Sequence, residues 1–266
     1  MDRNRFRIRL NSVEIGTAKL LMGFMFAIVF VLSLTLGQTA IAQKVFVQTG
    51  FEKETLGKPP KDWEVRGDGF EVTNDTVKTD KKSLAILGGA NDDRTGIAIE
   101  TDNPIISVEF WVYITSGGRS FNFKVVTADN IAQNNGGVYL NWDAKTARLF
   151  DGAAWQLIDD FDTDEWTYVR LIADVGKSEF DFYAGNDRNE ALKARGKKGL
   201  PFRNAAVNPV AKWVVFHVYS IAAPGYVDDL LVYEGDEPIN LAVDPLKKLT
   251  TVWGHLKTPL TTMVNY

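Results

Sequence analysis

The sequence contains no cysteine. Disulfides are therefore excluded, and so are a cysteine nucleophile and a lipid carried on an N-terminal cysteine. Histidine is nearly as scarce: His217 and His255 are the two in the chain. No glycine-rich phosphate loop precedes a helix, so nucleotide binding has no support. Basic charge is in short supply as well, with 30 Lys and Arg against 34 Asp and Glu. Long apolar runs are missing apart from one near the N terminus, and no repeat of fixed period is visible.

That one run carries an address. Arg3, Arg5, Arg7, Arg9 and Lys19 precede an uncharged apolar stretch, 20–36, and Ala40-Ile41-Ala42 follows with small residues at the −3 and −1 positions. This order predicts a helical signal peptide over 1–42, cleaved after Ala42. The alternative is an uncleaved anchor, because the run approaches a spanning length. Residues 43–266 would hold 25 basic and 32 acidic residues, a net charge of −7. Such a balance argues against nucleic acid, whose binders present a basic face. With no second spanning run, no membrane contact is expected after cleavage, and the product would be secreted, periplasmic or held at the cell surface.

Beyond residue 42 the pattern is strand, turn, strand. Short runs rich in Val, Ile, Phe, Tyr and Trp predict strands at 45–51, 69–73, 83–87, 96–100, 105–114, 120–126, 137–142, 146–150, 155–158, 166–174, 179–184, 212–219 and 226–233. Asp151-Gly152 is a hairpin signal between two of them. Residues 186–211 are basic and irregular, and read as a solvated connection or a loop over a binding face. The expectation is an all-β, two-sheet antiparallel sandwich over 43–234, with the first and last strands side by side. Residues 235–266 read as a linker and a short helical tail. There Asp244-Pro245 would start the helix, and Leu246, Leu249, Val252, Trp253 and Leu256 share one face. Such a tail either packs back on the sandwich or docks a partner.

Alternation adds detail. Val108, Phe110, Val112 and Ile114 point one way, and Ser107, Glu109, Trp111 and Tyr113 the other. Val214, Phe216 and Val218 likewise oppose Trp213, Val215, His217 and Tyr219. The aliphatic sets should face the core. The mixed aromatic and polar sets suit sugar rings, which stack on aromatic faces while their hydroxyls take hydrogen bonds. Trp111, Tyr113, Trp213, His217 and Tyr219 are thus the candidate ligand residues. The alternative is that a third layer of loops covers them as a secondary core.

Three segments carry a family likeness. The entry Thr49-Gly50-Phe51-Glu52, followed by Gly57-Lys58-Pro59-Pro60-Lys61-Asp62-Trp63 and Lys81-Lys82-Ser83-Leu84, is the first. Glu165-Trp166-Thr167-Tyr168-Val169-Arg170-Leu171 with Phe180-Asp181-Phe182-Tyr183-Ala184-Gly185 is the second. The exit Tyr226-Val227-Asp228-Asp229-Leu230-Leu231-Val232 is the third. In this order they resemble the concanavalin A-like lectin/glucanase superfamily, in its laminin G-like or carbohydrate-binding-module form. The resemblance implies a jelly roll. It also implies a structural calcium ion where first and last strands meet, with Glu52 and Asp228 or Asp229 as ligands. The alternative is that the two aspartates simply open the last strand at its wet end. Hydrolases of this superfamily carry Glu-x-Asp-x-(x)-Glu on a strand. Glu179-Phe180-Asp181 begins that run but Phe182-Tyr183-Ala184-Gly185 follows without a second glutamate. The arginine-rich and Gln-x-His strands of its lyases are missing too. His217 could act as a base, although a histidine among strand aromatics is more often packed. The leading expectation is a non-catalytic glycan-binding module. The alternatives are a structural or adhesive domain for a protein partner and, behind it, a glycan-cleaving enzyme.

Overall fold

The computed structural model describes residues 43–239, apart from 89–91, 117–120, 133–135, 144–145, 194–195 and 219–223. The expected signal segment, Tyr219 and the 244–258 tail lie outside the described residues.

In chain order the strands are β1 (Val45–Thr49), β2 (Glu64–Arg66), β3 (Phe70–Thr73), β4 (Ser83–Ile86), β5 (Asp93–Ala98), β6 (Ile105–Ile114), β7 (Asn122–Val126) and β8 (Gly137–Asp143). There follow β9 (Thr146–Phe150), β10 (Trp155–Asp160), β11 (Trp166–Asp174), β12 (Glu179–Gly185), the short helix α1 (Arg188–Leu192), β13 (Gly196–Pro201), β14 (Trp213–Val218) and β15 (Gly225–Glu234). They form two antiparallel sheets packed as a sandwich. Sheet I runs β13-β12-β11-β6-β15-β4-β3, with β1 also on β15; sheet II runs β10-β9-β8-β7-β14-β5-β2.

Both core faces follow the alternation. Val108, Phe110 and Val112 of β6 and Val214, Phe216 and Val218 of β14 are at most 1% exposed. Between the sheets Phe110, Phe123, Trp142 and Phe216 interlock, with ring centroids 5.1–6.2 Å apart. Each such side chain contributes roughly 1.5–3 kcal/mol by leaving water. The hairpin at Asp151-Gly152 forms as its residues dictate. Asp151 Oδ1 accepts from the amides of Ala153 and Ala154 at 2.8 Å each, and Gly152 takes φ +95°.

Residues 186–211 depart from the expected irregular connection. Asp187 caps α1 by accepting from the Glu190 amide at 2.8 Å. β13 then pairs with β12 as the edge of sheet I. Its sequence Gly-Lys-Lys-Gly-Leu-Pro is exposed along nearly its whole length, so no alternation announced it. Lysines and a proline at an edge also discourage pairing with another chain.

β1 pairs with β15, Thr49 opposite Leu230 and Val47 opposite Val232. On the same side the first part of β15 pairs with β4, Val227 opposite Leu84. The strand therefore changes partner in its middle, and the ladder slips between Asp228 and Leu231. Asp228 and Asp229 occupy that junction. Asp228 is fully buried, so these aspartates do not open the strand at a wet end.

Candidate functional site

At the junction carboxylates replace missing ladder partners. Asp228 Oδ2 accepts from the amides of Lys78 and Thr79 at 3.0 and 3.1 Å, and Oδ1 from the Asp229 amide at 2.8 Å. Glu52 Oε1 accepts from the amides of Lys81 and Lys82 at 2.8 Å each. Asp229, at φ +49°, accepts from Thr79 Oγ1 at 2.9 Å. Burial pushes the Asp228 carboxyl up to about 6, with the charge of Asp229 adding to the rise against the amide bonds. Burial also raises Asp229, with Asp80 and Glu52 adding to it. These oxygens are hard donors of the type calcium takes. Among the described residues, however, no three carboxylate or histidine side chains converge to hold a metal. Lys82 Nζ already binds the carbonyls of Glu52 and Glu54 at 2.9 and 2.6 Å. A cation here would have to complete its shell with backbone carbonyls.

The sequence-predicted ligand residues fall on opposite faces of the sandwich. Trp111 and Tyr113 lie on the outer face of sheet I. The Trp111 ring meets Tyr168 edge-on at 5.1 Å and carries Lys78 Nζ 3.9 Å above it. Tyr113 contacts Trp166 at 5.4 Å and Tyr226 at 5.9 Å. Beside them Glu109 is completely buried. It accepts from Tyr168 and Tyr233 hydroxyls and from Arg188 Nε at 2.7 Å, with Arg170 at 3.4 Å. Burial and the Glu109 charge push Tyr233 up to about 12. Arg170 and Arg188 in turn donate to the carbonyls of Asp236 and Ile239, which straps the chain exit across this face. A groove of about 390 Å³ beside the strap is lined by Arg170, Lys177, Lys198, Asp174, Asp181 and Asp236 among others. Charges of both signs alternate there and answer one another, as in the Lys177–Asp174 pair at 2.6 Å.

Trp213 and His217 lie on the outer face of sheet II. Trp213 packs against a small second cluster in which Ala128 and Ile131, from the loop after β7, cover Val126 and Val215 of the sheet. His217 is fully buried. Its Nε2 is 2.5 Å from Asp92 Oδ1, and Asp92 also holds Arg94 at 2.7 Å. Arg94 reaches on to the Ile131 carbonyl at 2.8 Å and so pins the loop. Burial, with Lys124 and Arg94 nearby, lowers His217 to about 3 against the pull of Asp92. Burial, helped by Arg94 and Arg203, lowers Lys124 to about 6.

Register resolves this face into cross-strand rows. One row runs Arg66, Arg94, His217, Asn122, Asn141, Arg148 and Leu157, one residue from each strand of sheet II. The neighbouring row runs Glu64, Gly96, Val215, Lys124 and Tyr139, with Phe150 opposite Trp155 on the last two strands. Gly96 cannot carry a side chain, since a Cβ would stand 2.7 Å from the Val214 carbonyl. The middle of both rows is roofed by Ile131 and its neighbours. The β8–β10 end opens outward: Trp155 is 43% and Leu157 54% exposed. Trp155 contacts Phe150 at 5.1 Å and Tyr139 at 5.5 Å. Arg203 lies over Tyr139 and Phe150 at 4.8 and 4.9 Å. Asn141 and Arg148 stand in the next row, Asn141 donating to Asn122 at 2.9 Å.

This aromatic platform beside amide and guanidinium donors is the candidate site. Tyr139, Phe150 and Trp155 were not singled out in the sequence, although 146–150 and 155–158 read as strands around a hairpin. A hairpin with an aromatic on each arm next to its turn was the available signal.

No family model matches the chain, and no curated protein matches it. Solved structures do. A sialidase superposes on 71% of the chain with TM-score 0.52 and 9% identity, and the match spans 18% of that protein. A conserved carbohydrate esterase from the Shiga toxin-encoding bacteriophage phi24B superposes on 73% of the chain with TM-score 0.51 and 11% identity, over 100% of its own length. At such identities the likeness is one of fold: the chain is an antiparallel two-sheet β-sandwich of a kind found in proteins that act on carbohydrates.

Proposed function

We propose that the chain is an exported carbohydrate-binding module of concanavalin A-like type, and that its ligand sits on the β8–β10 end of sheet II. The observation that carries this reading is Trp155. A tryptophan nearly half exposed, backed by two further aromatics and flanked by Asn141, Arg148 and Arg203, offers a stacking surface and hydroxyl-binding groups together. Trp111, Tyr113 and Trp213 are held by packing, which makes them poorer platforms. His217 and Lys124 are covered, so the groups best suited to proton transfer do not reach the surface; this favours binding over catalysis. A calcium ion at Glu52, Asp228 and Asp229, completed by backbone carbonyls, would offset the buried negative charge and hold the closure of β1 on β15.

The test is glycan-array binding by wild type and Trp155→Ala. The expected result is capture of a defined glycan class, weakened at least ~10-fold by the substitution, with the melting temperature unchanged. A blank array, or undiminished binding by Trp155→Ala, removes the site. New reducing ends or unsaturated products from a polysaccharide panel would instead make the protein an enzyme.

A further inference from the structure

We propose that Arg203 makes the platform selective for a sugar ring that carries an anionic substituent, a carboxylate or a sulfate; this deepens the reading of the β8–β10 end as a glycan site and depends on it. Arg203 follows β13, and its backbone is fixed from two sides. Its amide donates to the Gly137 carbonyl at 3.0 Å, where β8 begins. Its own carbonyl lies against the β9–β10 turn, since a Cβ on Gly152 would stand 2.5 Å from it. The guanidinium then lies 4.8 Å from the Tyr139 ring centre and 4.9 Å from that of Phe150. Trp155 contacts the same two rings, at 5.5 and 5.1 Å. Cation and tryptophan thus share one support, and a sugar stacked on Trp155 has the guanidinium beside it.

The donors of Arg203 are open. Its side chain interacts with the Tyr139 and Phe150 rings, and among the described residues no carboxylate or carbonyl oxygen accepts from it. Arg94 differs, being spent on Asp92 and the Ile131 carbonyl, and so does Arg188, spent on Glu109 and the Ile239 carbonyl. Asp151, in the turn beside Arg203, is committed to the amides of Ala153 and Ala154 and to the Gln156 side chain. Yet Arg203 is half-buried. It has given up part of its water with no protein oxygen in return, which is costly for a charged group. The two rings hold the guanidinium in place, so little side-chain freedom is left to lose on binding. The surrounding field has the same sign: Tyr139 also carries Lys124 Nζ at 4.7 Å, and Arg203 and Arg94 both act against the charge on Lys124. An anion on Arg203 would relieve that repulsion. A sugar hydroxyl takes one N–H at a time. A carboxylate or sulfate meets the planar fork with two oxygens, in charge-assisted bonds roughly twice as strong as neutral ones.

The test is a glycan array probed with the full-length protein, in which each uronate-bearing, sialylated or sulfated oligosaccharide stands beside its neutral parent. Wild type is expected to bind acidic members at least about tenfold more tightly than their parents, and the carboxylated and sulfated pairs tell which substituent the site takes. Arg203→Gln should erase that ratio and leave the weaker neutral binding in place. Arg203→Lys keeps a cation near the rings without the fork, and should restore only part of the ratio. Trp155→Ala should weaken both members of a pair alike. A ratio near one in wild type, or a ratio that survives Arg203→Gln, would overturn the proposal while leaving the glycan-binding face standing. Arg203→Gln binding that falls equally for acidic and neutral members would also overturn it, since Arg203 would then only support the platform. A blank array would remove both readings.

Discussion

The partner switch in β15 makes a quantitative prediction. Asp228 is fully buried, and its carboxyl is raised from 3.8 to about 6. Because the folded-state value lies above the unfolded one, the folded protein binds the proton more tightly. The group's contribution is complete below the unfolded value and disappears as pH rises through the folded one. With these two values, acidification from pH 7 to pH 5 should gain about 1.4 kcal/mol from this group alone, and about 2.4 kcal/mol by pH 4. His217 opposes it. Its folded-state value is lowered to about 3, so its stabilising neutral form costs progressively more below about pH 6.5. The wild-type profile therefore mixes both signs, and the informative quantity is a difference. Asp228→Asn keeps one oxygen for the Lys78 and Thr79 amides but sets its NH2 against the Asp229 amide. The variant should be less stable at every pH yet lack the acid gain. In EDTA, the gap in melting temperature between wild type and Asp228→Asn should widen by about 3–6 °C from pH 7 to pH 5, taking roughly 2–4 °C per kcal/mol for a domain of this size. A gap that stays flat or narrows would refute the assignment of this cost to Asp228. Saturating calcium should raise the wild-type melting temperature at pH 7 more than magnesium does, and should abolish the widening, because a bound cation holds the carboxylate ionised. Calcium that changes neither removes the metal from the closure.

The remaining predictions concern the other buried charges. Glu109→Ala leaves Arg170, Arg188, Tyr168 and Tyr233 facing an emptied site, and removing one partner of a buried ionic network costs about 3–5 kcal/mol; differential scanning calorimetry should show a fall of at least about 6 °C, and a change under about 2 °C would mean the network is not formed. Lys124→Met should raise the melting temperature at pH 7 and raise it progressively less toward pH 10, since burial lowers the lysine from 10.5 to about 6 and the unfolded chain then no longer gains by protonating it. A gain independent of pH would show that packing, not charge, set the result.

Much of the architecture was legible because period-two alternation is a local property. Val108, Phe110 and Val112, or Val214, Phe216 and Val218, announce their core face without knowledge of any neighbour. The pairing of β1 with β15 was legible too, from matching apolar stretches at the front of the exported part, beside Glu52, and near its end, after Asp228 and Asp229. Alternation fixes a side chain's face relative to its own strand, but not the sheet that the strand enters. Trp111 and Tyr113 therefore looked equivalent to Trp213 and His217, although β6 and β14 lie in different sheets and their outer faces point away from each other. The same limit hid the polar row of sheet II. Arg66, Arg94 and Arg148 stand on strands β2, β5 and β9, and only the pairings through β14, β7 and β8 bring them into line. Strand order places more weight on residues between elements than on residues within them: a single-residue slip in any one of those five pairings would turn a side chain from the outer face to the core. Arg94 and His217, both held by Asp92, and the Asn122–Asn141 pair sit in that row, where such a slip would separate them from their partners. The polar row thus helps hold the register that creates it.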